Sequence, residues 1–260
     1  DLPDATILSV SCTGELAISI DYRFAGGFIA RGTLARVPLS GGAPRELIEE
    51  VQEADWTPDG TQLAIVREVG GRNRLELPAG HVLFETPGWI SRARVSPQGD
   101  AVAFLHHPLP GDDGGDVMIV DRDGNPRNLS SGWISAGGLA WRPDGEEVWF
   151  SAAPAGNAAG LYAVNLSGAC RLLGRVTGTL ALHDVSRDGH PLVTHIAGRI
   201  RTLGLPPGAT EERDHSWLDW SRARALSADG TRLLFDETGE GAGARYGVYL
   251  RKTDGSPAIR

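Results

Sequence analysis

The sequence has no uninterrupted apolar run approaching the roughly 18 to 20 residues that span a bilayer. No helical membrane crossing is expected, and the domain is expected to make no membrane contact of its own. It has no excess of positive charge either. A formal net charge of −8 leaves no basic face to displace counterions from phosphates, which argues against nucleic acid as a partner. Only two cysteines are present, Cys12 and Cys170. They fall at different points of the repeat described below, so two separate small hydrophobes are expected in place of a disulfide. Nowhere does a helix-start signal precede apolar residues at a 3.6-residue period. Those absences leave an all-β chain.

What is present is one hairpin, written six times. Trp56-Thr57-Pro58-Asp59-Gly60 reads as the end of a strand and a tight turn, with the next strand beginning near Gln62, because Asp and Gly supply turn geometry that bulkier residues resist. The pattern returns at Val95–Gly99, Trp141–Gly145, Val185–Gly189 and Leu226–Gly230; the first copy, Val10–Gly14, has lost the aspartate. The turn glycines, at 14, 60, 99, 145, 189 and 230, recur every 39 to 46 residues. Periods of that length with several short strands per unit are the mark of propeller blades. The expectation is an all-β, six-bladed β-propeller of four-stranded antiparallel blades, forming a single domain over 1–260. Its blades run over about 5–49, 50–87, 88–131, 132–174, 175–213 and 214–260.

Within that plan Asp21 to Phe28 is expected as a long connection before a third strand at Thr33–Val37, and Arg45–Ile48 as a fourth strand. The fifth blade is the weakest, since Leu203-Gly204-Leu205-Pro206-Pro207-Gly208 breaks alternation and Thr210–Arg213 is too polar for a strand. The chain opens at Asp1-Leu2-Pro3-Asp4 and stops at Arg260 inside an expected strand. Both ends are therefore expected to continue into a longer polypeptide, and any targeting segment lies outside this piece.

Trp56–Gly60, Trp141–Gly145 and Leu161-Tyr162-Ala163-Val164 resemble the repeats of TolB-type, WD40-like (PD40) β-propellers, and the resemblance covers all six periods. Three further stretches, Gly32–Arg45, Gly111–Gly115 and Tyr249–Pro257, resemble the C-terminal propeller region of bacterial receptor-type serine/threonine protein kinases. That resemblance implies a sensor domain, and an extracytoplasmic or periplasmic location. The kinase signatures His-Arg-Asp, Asp-Phe-Gly and a glycine-rich loop are absent, so any kinase activity belongs to another part of such a protein.

Propeller geometry puts the second-to-third-strand loops and the inter-blade loops on one face, around the mouth of the central channel. Here those are 21–28, 106–116 and 237–245, with 88–91, 132–135 and 216–221. Gly88-Trp89-Ile90-Ser91 and Gly132-Trp133-Ile134-Ser135 repeat one motif, and Trp217 echoes it. These tryptophans either wedge between blades or offer stacking surface to a ligand. On the second reading Trp89, Trp133 and Trp217, with Arg23, His106 and Glu237, form the candidate ligand site for a protein, peptide or small molecule.

His106-His107-Pro108 with Asp112, Asp113 and Asp116 gathers metal-ligand chemistry, but its spacing matches no metal motif, and a solvated loop is expected. His183-Asp184 is expected to be a hydrogen-bonded pair on a first strand near the channel. No Gly-x-Ser-x-Gly elbow accompanies it. The turn aspartates are expected to cap their own turns. Gly239–Gly243 lacks the strand and helix of a phosphate loop, and the sequons at Asn128 and Asn165 matter only in a glycosylating route. No catalytic residue, metal or cofactor is expected. The functional expectation is a non-catalytic binding or sensing module; the alternative is an accessory propeller gating a serine peptidase or other hydrolase.

Overall fold

The computed structural model describes residues 4–156, 159–205, 208–243 and 246–260. The repeated turn is built alike six times, with its glycine at φ 81° (Gly14), 69° (Gly60), 74° (Gly99), 77° (Gly145), 83° (Gly189) and 70° (Gly230). A side chain at those angles is strained, which is why glycine recurs there. In every copy but the fourth, which has Arg142, a hydroxyl residue stands three residues earlier, and in three of them it stitches the turn shut alike. Thr57 Oγ1 accepts from Gln62 N at 3.0 Å, Ser96 Oγ from Ala101 N at 3.1 Å and Ser227 Oγ from Arg232 N at 2.9 Å. The turn aspartates cap their own turns as expected. Asp229, for example, accepts from Ser227 Oγ and Thr231 N, and those bonds hold its carboxyl down at about 2.

The first unit comprises β1 (Thr6–Val10), β2 (Glu15–Gly26), β3 (Ile29–Pro38) and the first half of β4 (Arg45–Trp56). The chain then crosses to the second unit without leaving the strand. The early part of β4 pairs with β3, and Val51 to Trp56 pair with β5 (Leu63–Val69), which leads to β6 (Arg72–Glu76) and β7 (Val82–Thr86). Glu50, at φ 60°, marks the crossing. The third unit is β8 (Trp89–Val95), β9 (Ala101–His107), β10 (Gly115–Asp121) and β11 (Pro126–Trp133). The fourth is β12 (Ser135–Trp141), β13 (Glu147–Ala153), β14 (Gly160–Asn165) and β15 (Cys170–Arg175). Each is an antiparallel meander in chain order.

The last two units depart from four strands. The fifth holds a two-stranded sheet of β16 (Thr179–Val185) and β17 (Pro191–Ile196), and a separate short ladder of β18 (Leu203–Gly204) with β19 (Arg213–Asp214). The sixth has β20 (Ser221–Leu226), β21 (Arg232–Glu237), a single 3₁₀ turn at Glu240–Ala242, and β22 (Gly247–Lys252), against which Ile259 bridges Leu250. The physical reason lies in the sequence between β17 and β19. Leu203-Gly204-Leu205 offers no alternation on which a third strand could bury one face. The expected break at Pro206-Pro207, the loop end at Ala244-Arg245 and the opening Asp1-Leu2-Pro3 lie outside the described residues.

The core sits between neighbouring sheets. Trp56, Ala54 and Leu63 pack with Ala17 and Leu34 of the first unit; Phe104 and Val102 pack with Leu75 and Leu83 of the second; Phe150 and Trp141 pack with Leu105 and Val117 of the third. Leu180 and Leu182 pack on Ala140 and Leu161. The sixth unit's cluster, Leu233, Phe235 and Tyr249 with Ala258, is drawn from that unit alone. Accordingly β17 is exposed along its whole length and β20 from Arg222 to Leu226, where β8 and β12 are largely buried.

Three expectations change. Residues 21 to 26 are strand, not loop, so the β2–β3 hairpin becomes an arm longer than the hairpins of the other units. His106 and His107 belong to β9, and His107 is fully buried. Cys12 and Cys170 are free but exposed, so they act as small hydrophobes in neither place.

Candidate functional site

The inner strands β1, β4, β8, β12 and β16 surround a central cavity of about 460 Å³. Its wall takes Ile7 and Leu8 from β1, Gln52 and Glu53 from β4, Ser91, Arg92 and Arg94 from β8, Ser135 and Ala136 from β12, and Leu180 and Ala181 from β16. Over it leans the β2–β3 arm, which contributes Tyr22 and Phe28, and Asp113 joins from the β9–β10 loop. The arm reaches across the mouth to that loop. A Cβ on Gly27 would stand 2.3 Å from the Gly111 Cα, so the two backbones touch with no side chain between them.

The inner strands are irregular where they meet the cavity. β8 shifts register between Ser91 and Arg94, and Arg92 within the bulge sits at φ 56°. Bulges re-aim side chains, and here the bulge lets both Arg92 and Arg94 reach the cavity. Arg92 Nε donates to Gly137 O on the next inner strand at 2.9 Å, and Arg94 donates one N–H to Ala93 O at 3.1 Å. The amides on the inner edge of β8 are capped by carboxylates of the preceding unit, Ala93 N by Glu53 Oε2 at 3.0 Å and Val95 N by Asp55 Oδ2 at 2.9 Å. Ser9 Oγ donates to the other Asp55 oxygen at 2.8 Å. Burial raises the Asp55 carboxyl above its ordinary range despite the opposing pull of Arg94. Gln52 stands with both its side-chain amide atoms shielded from solvent and without a hydrogen-bond partner.

The six residues singled out from sequence are dispersed. Trp89 is 6% exposed; its ring stacks on His107 at 3.9 Å, its indole N–H donates to Asp112 O at 2.8 Å, and it borders the cavity. Trp133 packs against Phe150 and Tyr162 within the fourth unit's cluster and donates to Ser130 Oγ. Trp217, 37% exposed, lies beneath the Arg251 guanidinium in the sixth unit. Arg23 pairs with Glu50 at the base of the arm. His106 is half-buried, meets Thr86 Oγ1 at 2.9 Å and has its pKa lowered by burial. Glu237 is fully buried and accepts from Leu218 N, Trp220 N and Ser221 Oγ, which ties both its oxygens into the 216–221 loop. Of the six, Trp89 alone lines the cavity.

His107 is a fixed internal link. It joins Gly114 O, 3.1 Å from Nδ1, to Ser91 Oγ, 2.8 Å from Nε2, and burial pushes its pKa down to about 4. His183 and Asp184 are both exposed, with His183 Nε2 2.8 Å from Thr194 Oγ1. They lie on the inner strand β16, where Asp184 Oδ1 accepts from Val185 N at 2.8 Å and its charge acts on Asp55 of β4. Among the described residues no group of three or more His, Cys, Asp or Glu side chains is placed to hold a metal ion.

Residue spacing carried a signal for the cavity. Glu53 and Arg92 both stand seven residues before their turn glycines, and Asp55 and Arg94 both stand five before. Superposing the units on those glycines therefore sets acid against base on adjacent inner strands.

Stacked antiparallel meanders around an inner cavity define a β-propeller. No family model matches the chain, and no curated protein matches it in sequence. Solved structures do. The chain is similar to TolB from Acinetobacter baumannii (TM-score 0.55, 18% identity), covering 94% of this chain and 62% of TolB. It is similar to a puromycin-hydrolysing peptidase from Mycobacterium tuberculosis (TM-score 0.53, 20% identity), covering 99% of this chain and 43% of the peptidase. It is also similar to the Cps50 (Swd1) β-propeller domain from Myceliophteria thermophila (TM-score 0.52, 14% identity), with 99% and 86% covered. The chain thus spans less than two thirds of the TolB and peptidase chains.

Proposed function

We propose that residues 1–260 act as one non-catalytic binding domain that takes a protein segment, peptide or small molecule into the central cavity. The observation that carries this reading is the cavity itself. Its volume falls within the roughly 300 to 1,000 Å³ of small-ligand pockets, and it combines apolar walls with a few polar groups left unengaged. Trp89 is the residue of the sequence-derived set that enters this reading. Hydrogen exchange in the presence of a pool of short synthetic peptides tests it. Protection is expected on β8 and β12; protection confined to the outer strands β7, β11 and β15 overturns it. Peptide p-nitroanilides and p-nitrophenyl acetate are expected to turn over no faster than in buffer.

The finer reading is the sensory region of a receptor-type serine/threonine protein kinase, held outside the cytoplasm. It rests on the stretches at 32–45, 111–115 and 249–257. The second reading, a propeller gating a hydrolase, is favoured by the likeness to 43% of the puromycin-hydrolysing peptidase. The full-length chain discriminates: a preceding kinase domain and membrane span support the first, an adjoining hydrolase domain the second.

A further inference from the structure

Charge pairing is uneven in this molecule. In the first two units Arg23, Arg31, Arg36, Arg67, Arg72 and Arg74 each sit against a glutamate. Arg92 and Arg94, on the cavity wall, form no such pair among the described residues. Each guanidinium carries five N–H donors, yet Arg92 engages only Nε and Arg94 only one N–H, both with backbone carbonyls. The acids nearby are turned elsewhere. Glu53 caps Ala93 N, Asp55 is taken by Ser9 and Val95 N, and Asp113 Oδ2 accepts from Ser135 Oγ at 2.6 Å. The cavity thus presents fork-shaped cationic donors that form no ion pair among the described residues, beside Glu53 and Asp113, whose carboxylates already accept from Ala93 N and Ser135 Oγ, and such forks match carboxylate geometry.

The rest of the wall describes what is attached to that carboxylate. Ile7, Leu8 and Leu180 are apolar, and Tyr22 and Phe28 on the arm, both exposed, border the same cavity. Gln52 brings an amide NH2 and a carbonyl oxygen, both shielded and unpartnered, which can meet the C=O and the N–H of a peptide group. Leaving such a group buried and unpaired is costly, so a partner that supplies both bonds is favoured.

We infer that the cavity receives the C-terminal carboxylate of a short apolar peptide. Arg92 and Arg94 hold the carboxylate, Gln52 bonds the adjoining peptide group, and Tyr22 and Phe28 cover the side chains. This rests on the reading that ligands enter the cavity and adds the chemistry of what enters.

The test is a competition on immobilised protein with N-acetylated tripeptides randomised over Ala, Val, Leu, Phe and Tyr, mixed in equal amounts as free acids and as C-terminal amides. The retained pool is quantified by mass spectrometry. Acids are expected to be enriched at least tenfold over amides. The Arg92→Gln/Arg94→Gln variant is expected to lose that preference, and Arg92→Lys/Arg94→Lys to keep part of it, with thermal midpoints showing that both are folded. The wild-type comparison stands even if a variant does not fold. Retention of both forms without preference overturns the carboxylate inference and leaves cavity binding intact. Retention of neither overturns both. Octanoate displacing the peptide acids as well as they displace one another overturns the peptide body.

Discussion

Trp56 and Trp141 hold the same place in their units, four residues before the turn glycine, yet their indoles are treated differently. Trp141 donates from Nε1 to Arg94 O of the preceding unit at 2.9 Å. The Trp56 Nε1 is shielded without a partner, and the Arg36 guanidinium lies over its ring at 4.6 Å. Trp141→Ala and Trp56→Ala are each expected to cost roughly 3 to 5 kcal/mol, and exposed Asp112→Ala about 0.5 or less. Trp→Phe separates the pair. Trp141→Phe strands a carbonyl and is expected to cost about 1 kcal/mol more than Trp56→Phe, read from urea midpoints. The sequence places both tryptophans alike, at the end of a strand before the turn. It was silent on the hydrogen bond, because the acceptor belongs to a residue 47 positions away. His107 yields a pH prediction. Its pKa is about 4 in the fold, against about 6.5 for an unperturbed imidazole, so from pH 6.5 down to 4 the unfolded chain takes up a proton that the folded chain refuses. Stability is therefore lost as pH falls through that window, by about 3 kcal/mol at most from this group. Denaturation of wild type and His107→Gln at pH 7 and pH 4.5 reads the difference; an equal loss in both removes His107 as its source.

At the scale of elements, the arm and the fifth unit are where sequence and structure part. The expected connection over Asp21 to Phe28 is strand as far as Gly26 in the fold, although Asp21 and the pair Gly26-Gly27 interrupt alternation. In the fold Asp21 adopts φ 52° within a register shift between Ile20 and Arg23, and pairing resumes beyond it. A bulge thus erased the period-two signal without ending the strand. Gly27→Ala is expected to lift the arm tip, since the new methyl meets Gly111 backbone. Hydrogen exchange at 108–114 should accelerate while β13 stays unchanged; no change at 108–114 would mean the contact holds nothing in place. In the fifth unit the polar, glycine-broken stretch did announce the missing strands. With no third strand against it among the described residues and every residue exposed, β17 is expected to exchange its amides far faster than β13, whose Val148, Phe150, Ser151, Ala152 and Ala153 are buried. Matching protection in the two strands would show that β17 is covered in solution.

For the whole molecule, repeat proteins draw stability from each unit and from its contacts with immediate neighbours. Units one to five share clusters across their boundaries, whereas the sixth keeps its cluster to itself. Unfolding is therefore expected to start there. With fluorotryptophan labels, the resonances of Trp217 and Trp220 should move at lower urea than those of Trp56, Trp89, Trp133, Trp141 and Trp149; coincident midpoints would establish one cooperative unit instead. The turn period announced the order of the units, since each turn is written in five adjacent residues. The cavity chemistry stayed hidden because Glu53 and Ala93, or Asp55 and Val95, become neighbours only when separate units stack. That capping shapes how a guest is met. An inner strand of a sheet is an exposed edge, and an extended chain commonly binds such an edge by extending the sheet. Here the amides of Ile90, Ala93 and Val95 already donate to Asn73, Glu53 and Asp55, and that of Leu182 to Ser151. An entering chain finds no free ladder at these positions and cannot join the sheet there as a further strand. It is recognised by its end, by the one peptide group that Gln52 meets and by its side chains, so the rest of its backbone remains free to turn.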